Sequence, residues 1–173
     1  MLSQKTRYAL KALLELAALP AGATMSSATI SARRAIPVKF LEAILVELKH
    51  HGVVRGQRGR SGGYQLARSP ADISFGIVVR LMEGPLALLP CVSVTQYRQC
   101  VDCADDQPCE LKRVFREVRD STAAILDGWT IADAGSRTGA AEPPPDPAPA
   151  KNVRRRSSAK EPSAPKSAGK DRH

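Results

Sequence analysis

Residues 37–66 read PVKFLEAILVELKHHGVVRGQRGRSGGYQL, and this stretch decides the fold. Pro37 suits the first position of a helix, because its missing N–H would have no partner there. Phe40, Leu41, Ile44, Leu45 and Leu48 repeat at helical spacing and predict a buried stripe. Gly52 stops the helix. Val53-Val54-Arg55 and Tyr64-Gln65-Leu66 read as two short strands, and Gly59-Arg60-Ser61-Gly62-Gly63 between them has the glycines a turn needs. A helix over Pro37–His51 is thus followed by a basic, glycine-rich hairpin.

Working outward, Ser26 or Ser27 caps a short helix through Arg34. Thr6–Leu19 forms an earlier helix with Leu10, Leu13, Leu14 and Ala17 on one face, ended by Pro20-Ala21-Gly22. Downstream, Ser74 caps a helix carrying Phe75, Ile77, Val78, Leu81 and Met82. Residues 85–108 read as irregular. Glu110–Leu126 is a long helix with Leu111, Val114, Phe115, Val118, Ile125 and Leu126 in its stripe, which Trp129 extends. The fold class is mainly α with a small β-hairpin. It is a winged helix-turn-helix domain over residues 1–84, a cysteine-rich loop over 85–109, and a long helix with a short C-terminal one over 110–135. Residues 136–173 hold seven of the 13 prolines and one large apolar residue, Val153, so they are expected to be a disordered basic tail. Its Arg154-Arg155-Arg156 run can add non-specific attraction to nucleic acid, or serve only as a soluble linker.

Charge points the same way. Residues 1–70 carry 11 Lys/Arg against 3 Asp/Glu, whereas residues 71–135 carry 6 against 10. A basic first half meets a polyanion. The helix begun by Pro37 fits the DNA major groove with Val38, Lys39, Glu42 and Ala43 away from the buried stripe. Lys39 meets phosphate or guanine, and Glu42 accepts from cytosine N4. Arg58 and Arg60, with Ser61 and Gly62 beside them, suit a minor groove. Arg33, Arg34 and Lys49 flank the phosphates, and His50 and His51 close the helix as caps or phosphate contacts. The partner is double-stranded DNA.

No apolar run approaches the ~18 residues of a membrane helix, and the N-terminus lacks a signal-peptide core. The expected location is the cytoplasm, where thiols stay reduced and clustered cysteines bind metal or sense redox change. The four cysteines stand as Cys91-x8-Cys100-x2-Cys103-x5-Cys109, all within 19 residues. Thiolates of this kind bind iron–sulfur clusters or zinc, and a metal-free thiol switch is the third reading. No nucleophile–base pair, phosphate loop or paired carboxylates suggest an enzyme.

These motifs resemble the Rrf-type bacterial winged-helix transcriptional regulators, the family of IscR, NsrR, RirA and CymR. The resemblance spans residues 1–135. It rests on Thr6-Arg7-Tyr8-Ala9-Leu10, Phe40-Leu41-Glu42, Val54 through Leu66 with its wing from Arg58, Asp72-Ile73-Ser74, Leu81-Met82-Glu83-Gly84-Pro85, the cysteine loop, and Ile125-Leu126-Asp127 followed by Thr130-Ile131-Ala132-Asp133. It implies a homodimer joined along Glu110–Leu126 through Leu111, Val114, Phe115, Val118, Ile125, Leu126 and Trp129, reading a pseudo-palindromic operator as a repressor. It also implies base readout at Glu42 and minor-groove contact by the wing arginine. Members that hold a [2Fe–2S] or [4Fe–4S] cluster use three loop cysteines. Here these are Cys91, Cys103 and Cys109, with Cys100 as a fourth ligand or substitute, and the signal would be iron, redox state or nitric oxide. Two family features are missing. Lys112 stands where some relatives have a ligand histidine, and Arg7 where nitric-oxide sensors often have an acid. The remaining alternatives are a structural zinc, a metal-free thiol switch, and a protein-interaction module that docks on a partner enzyme.

Overall fold

The computed structural model describes residues 2–59, 62–101, 103 and 109–136. Arg60, Ser61 and the whole of the expected tail from residue 137, with its arginine run, lie outside the described residues. The described residues form eight regular elements: α1 (Gln4–Ala17), α2 (Ser27–Arg34), α3 (Val38–His50), β1 (Val54–Gln57), β2 (Gly63–Leu66), α4 (Phe75–Glu83), α5 (Glu110–Gly128) and α6 (Ile131–Ser136). Short 3₁₀ turns occupy Pro70–Asp72 and Pro90–Val92.

The helices begin where side-chain oxygens can take up free amides. Ser3, Ser26 and Ser74 accept from Thr6, Thr29 and Ile77 backbone N–H groups at 3.2, 3.1 and 3.2 Å. α1 starts two residues before the expected Thr6 because Ser3 supplies this cap. Pro37 is the N-cap of α3 and not its first residue. At the start of α6, Thr130 N–H donates to Asp133 Oδ2 at 2.9 Å and Asp133 N–H to Thr130 Oγ1 at 3.1 Å, a reciprocal capping box.

α1 is the centre of the core and packs on α3, α4, α6 and β2. Its fully covered face is Ala9, Ala12, Leu13 and Leu16, while the expected Leu10, Leu14 and Ala17 pack at the margin. Leu41, Ile44, Leu45 and Leu48 of α3 meet it, with Ile30, Ile36, Val53, Ile73 and Val78 around them. Truncating one such leucine to alanine costs about 2–5 kcal/mol. Phe40, expected in the α3 stripe, is 61% exposed. The stripe 41-44-45-48 is already a complete helical face, and residue 40 falls outside its arc.

The hairpin is antiparallel, pairing Val54 with Leu66 and Gln57 with Gly63. Met25 forms a further bridge on Tyr64, through bonds of 3.0 and 2.8 Å. This contact requires glycine at 63, where a Cβ would lie 2.6 Å from the Met25 carbonyl carbon and oxygen.

The chain leaves this core after α4 and rejoins it at Ile131, which is fully buried in α6 against α1. Phe75 N–H donates to Trp129 O, and Ile131 N–H to Ile73 O, each at 2.9 Å. The expected segment 110–135 is therefore shared. α5 projects, and α6 completes the N-terminal core.

Candidate functional site

α2 and α3 form the helix-turn-helix. The turn is tight because Ala35 adopts left-handed backbone, φ 52° and ψ 49°. Ser31 Oγ donates to Ile36 O at 2.6 Å, and Ile36 N–H donates to Ser31 O at 3.1 Å. Buried Ile36 anchors the corner between the helices.

This corner aims the outer face of α3 at solvent. Val38, Lys39, Phe40, Glu42, Ala43 and Val46 are all exposed. Ser27 Oγ donates to Glu42 Oε1 at 3.3 Å, steadying a carboxylate whose second oxygen can accept from a base. Lys49, His50, His51 and Arg58 are exposed on the same half of the molecule's chain. Gly62 sits where a Cβ would approach Gln57 O to 2.5 Å. Arg60 and Ser61 fall outside the described residues.

Arg33 and Arg34 have a partner that spacing alone does not reveal. Arg33 Nη1 lies 2.8 Å from Glu15 Oε1, and Arg34 Nε lies 2.6 Å from Glu15 Oε2. Glu15 projects from α1 and its side chain is only 11% exposed. The Arg33 hydrogen bond, with that of Arg34, holds its carboxyl below the usual value despite burial. The pair clamps the end of α2 to α1. Arg33, with 58% of its side chain exposed, also faces solvent.

The cysteine loop adjoins the base of α5. All four cysteines are free thiols: Cys91 is buried, Cys100 and Cys109 are half-buried, and Cys103 is exposed. Cys91 lies in the Pro90–Val92 turn. Its thiol is the main influence that pushes the Cys100 thiol up to about 11, followed by desolvation and Cys103. Cys100 is therefore within reach of both Cys91 and Cys103. Cys109 is used differently, because its Sγ accepts from Lys112 N–H at 3.4 Å and caps α5. Among the described residues no three His, Cys, Asp or Glu side chains converge on one ion position. The donor chemistry nevertheless fits a soft metal or an iron–sulfur group, since four thiols lie along one loop.

α5 connects this loop to the core. Arg119 Nη1 donates to Val92 O. At the other end Arg80 grips Asp127 with bonds of 2.6 and 2.7 Å. No residue of α5 is buried, and Leu111, Val114, Val118 and Ile125 are 62, 47, 41 and 59% exposed. Phe115, Leu126 and Trp129 are half-buried. The stripe read from the sequence is present, and among the described residues it is only partly covered.

A helix-turn-helix with a braced wing, a basic face and a projecting helix defines a winged-helix DNA-binding transcriptional regulator. The profile of Rrf2, described as an iron-dependent transcriptional regulator, matches residues 2–136, and the chain belongs to that family. It is 44% identical over 136 residues to an rrf2-like HTH-type transcriptional regulator of Rhodobacter capsulatus, covering 77% of this chain and 91% of the relative. Among solved structures it is similar to CymR, the global cysteine regulator of B. subtilis, with TM-score 0.65 and 28% identity over 80% of this chain and 98% of the other. It is also similar to T. potens IscR, with TM-score 0.63 and 28% identity over 78% and 85% of the two chains. These relatives are regulators and not enzymes, and so is this chain. Among the described residues, no helix is long and apolar enough to cross a membrane.

Proposed function

We propose that the chain is a homodimeric cytoplasmic repressor that reads a pseudo-palindromic operator with α3 and the wing, and that its cysteine loop is the sensor. The observation that carries the reading is the position of that loop. Its cysteines lie directly before α5, and Arg119 of α5 bonds to the turn holding Cys91. A change at the sulfurs therefore reaches the helix whose apolar stripe the described residues leave partly exposed.

Val38, Lys39 and Glu42 address base edges, Arg58, Arg60, Ser61 and Gly62 the minor groove, and Arg33 and Arg34 the phosphates. Leu111, Val114, Phe115, Val118, Ile125, Leu126 and Trp129 face the second copy. A two-fold dimer presents two α3 helices about 34–36 Å apart, one turn of duplex. Its apolar stripe fits a self-complementary interface.

Cys91, Cys103 and Cys109 would hold an iron–sulfur cluster, and the proximity of Cys100 to Cys91 and Cys103 favours its membership of the set. When bound, such a group supplies reversible electron exchange and reactivity toward oxygen or nitric oxide. The family's description as iron-dependent supports this reading. The chain's own residues do the rest. Arg119 ties the loop to α5, and the Arg80–Asp127 bridge ties α5 to α4. A metal-free thiol switch is the second reading, favoured by the adjacent Cys91 and Cys100 thiols and the likeness to CymR.

Selection from a random duplex pool tests the DNA half of the proposal. A symmetric consensus bound by a dimer is expected, with affinity falling on the order of a thousandfold between about 50 and 200 mM salt if six phosphates are contacted. An asymmetric site bound by a monomer would overturn it.

A further inference from the structure

The outer surface of α3 contains an apolar row that the roles of Lys39 and Glu42 do not use. Phe40, Ala43 and Val46 are three residues apart and so form one line across the exposed helix surface. Phe40 and Val46 are each 61% exposed. The core is served by Leu41, Ile44, Leu45 and Leu48, so no described part of the chain covers the row.

Its surroundings indicate the occupant. Lys39 and Glu42 flank its N-terminal end, Lys49 and His50 its C-terminal end, and residues 1–70 carry a net charge of +8. An apolar protein or lipid surface would have to desolvate these charges. The major groove of duplex DNA instead offers apolar groups between anionic walls, the C5 methyls of thymine. Side chains at 40, 43 and 46 hold no donor or acceptor, so they cannot read a base by hydrogen bonding.

We infer that Phe40, Ala43 and Val46 contact thymine methyl groups in the major groove, so that each operator half-site carries thymines next to the base addressed by Glu42. This rests on the reading of α3 as the groove helix. Burying one methyl group is worth a factor of about four in affinity.

The test uses the full chain and a fluorescein-labelled duplex bearing the half-sites recovered by selection. Each thymine is replaced in turn by deoxyuridine, which removes only the methyl group, and binding is followed by anisotropy. Replacement of at least one thymine per half-site should weaken the unmodified protein about fourfold. Phe40→Ala or Val46→Ala should weaken binding to the thymine duplex similarly and become indifferent to deoxyuridine at the contacted position. Melting temperatures should not change, since both side chains are exposed. Sequence-specific binding with no deoxyuridine effect above twofold would overturn the methyl contact and leave α3 as the groove helix. Binding indifferent to all sequence would overturn both. A Phe40→Ala protein with altered oligomeric mass but unaltered deoxyuridine response would assign the row to contact between copies, and the inference would fall.

Discussion

Gly76 of α4 lies against the Asp127 side chain of α5. A Cβ at this position would lie 1.9 Å from Asp127 Oδ1 and 2.8 Å from Arg80 Nη1. Gly→Ala within a helix ordinarily stabilises by about 1 kcal/mol. Here the added methyl must expel the Asp127 carboxylate and break its two bonds to Arg80, at 2.6 and 2.7 Å. The Arg80 and Asp127 side chains are 35 and 46% exposed, so solvent screens the pair. A bidentate pair in that setting contributes about 1 kcal/mol, the upper end for surface bridges. Gly76→Ala should therefore be neutral to mildly destabilising in the native background. In an Asp127→Ala background only the flexible Arg80 side chain, released from its partner, adjoins the new methyl, and the substitution should stabilise by up to about 1 kcal/mol. Urea denaturation of the four proteins at one fixed concentration gives the coupling, expected at about 1 kcal/mol or more. Equal effects of Gly76→Ala in both backgrounds, within about 0.5 kcal/mol, would refute the contact.

Other consequences are equally direct. Hydrogen bonds from the Ser3 side chain, the Thr6 hydroxyl and the Ser3 backbone N–H hold Glu83 at about 2, below its ordinary 4.5. A depressed carboxylate stabilises fully above its ordinary value and loses this effect as pH falls toward about 2. Urea midpoints measured against pH should thus fall more steeply for the native chain than for Glu83→Gln across that window. Gly63→Ala should destabilise by about 1–3 kcal/mol, because it drives the Met25 and Tyr64 backbones apart, and should weaken operator binding. Intact binding by that variant would remove the wing from the interface. Val118→Asp puts a charge in the α5 stripe and should convert a dimer to monomers in sedimentation. An unchanged mass would discard α5 as the interface.

Local signals in the sequence were the most legible. The caps at Ser26 and Ser74 start helices one residue later, and the strands on either side of the glycine-rich segment do pair as a hairpin. The α5 stripe was readable because its spacing is regular over nineteen residues. Phe40 misled because an apolar residue next to a buried stripe is easily assigned to it, and apolar residues also occupy surfaces. Glu15 was illegible for a different reason. Its partners Arg33 and Arg34 lie 18 and 19 residues away on another helix, and no periodicity encodes a contact between elements. The return of Ile131 to the first core and the meeting of Cys91 with Cys100 are tertiary in the same sense. Spacing identified the four cysteines as a group, but only the folded loop distinguishes Cys109, a helix cap, from Cys100, whose thiol is influenced by Cys91 and Cys103.

The most direct test of the sensor proposal is the ultraviolet–visible spectrum of anaerobically purified protein, with iron, sulfide and zinc measured on the same sample. Visible charge-transfer bands with matching iron and sulfide are expected, and Cys91→Ser or Cys103→Ser should remove them. A colourless protein that stays colourless after reconstitution with iron and sulfide would contradict the cluster. Stoichiometric zinc in that sample would make the loop structural, and its absence would leave the thiols as the switch.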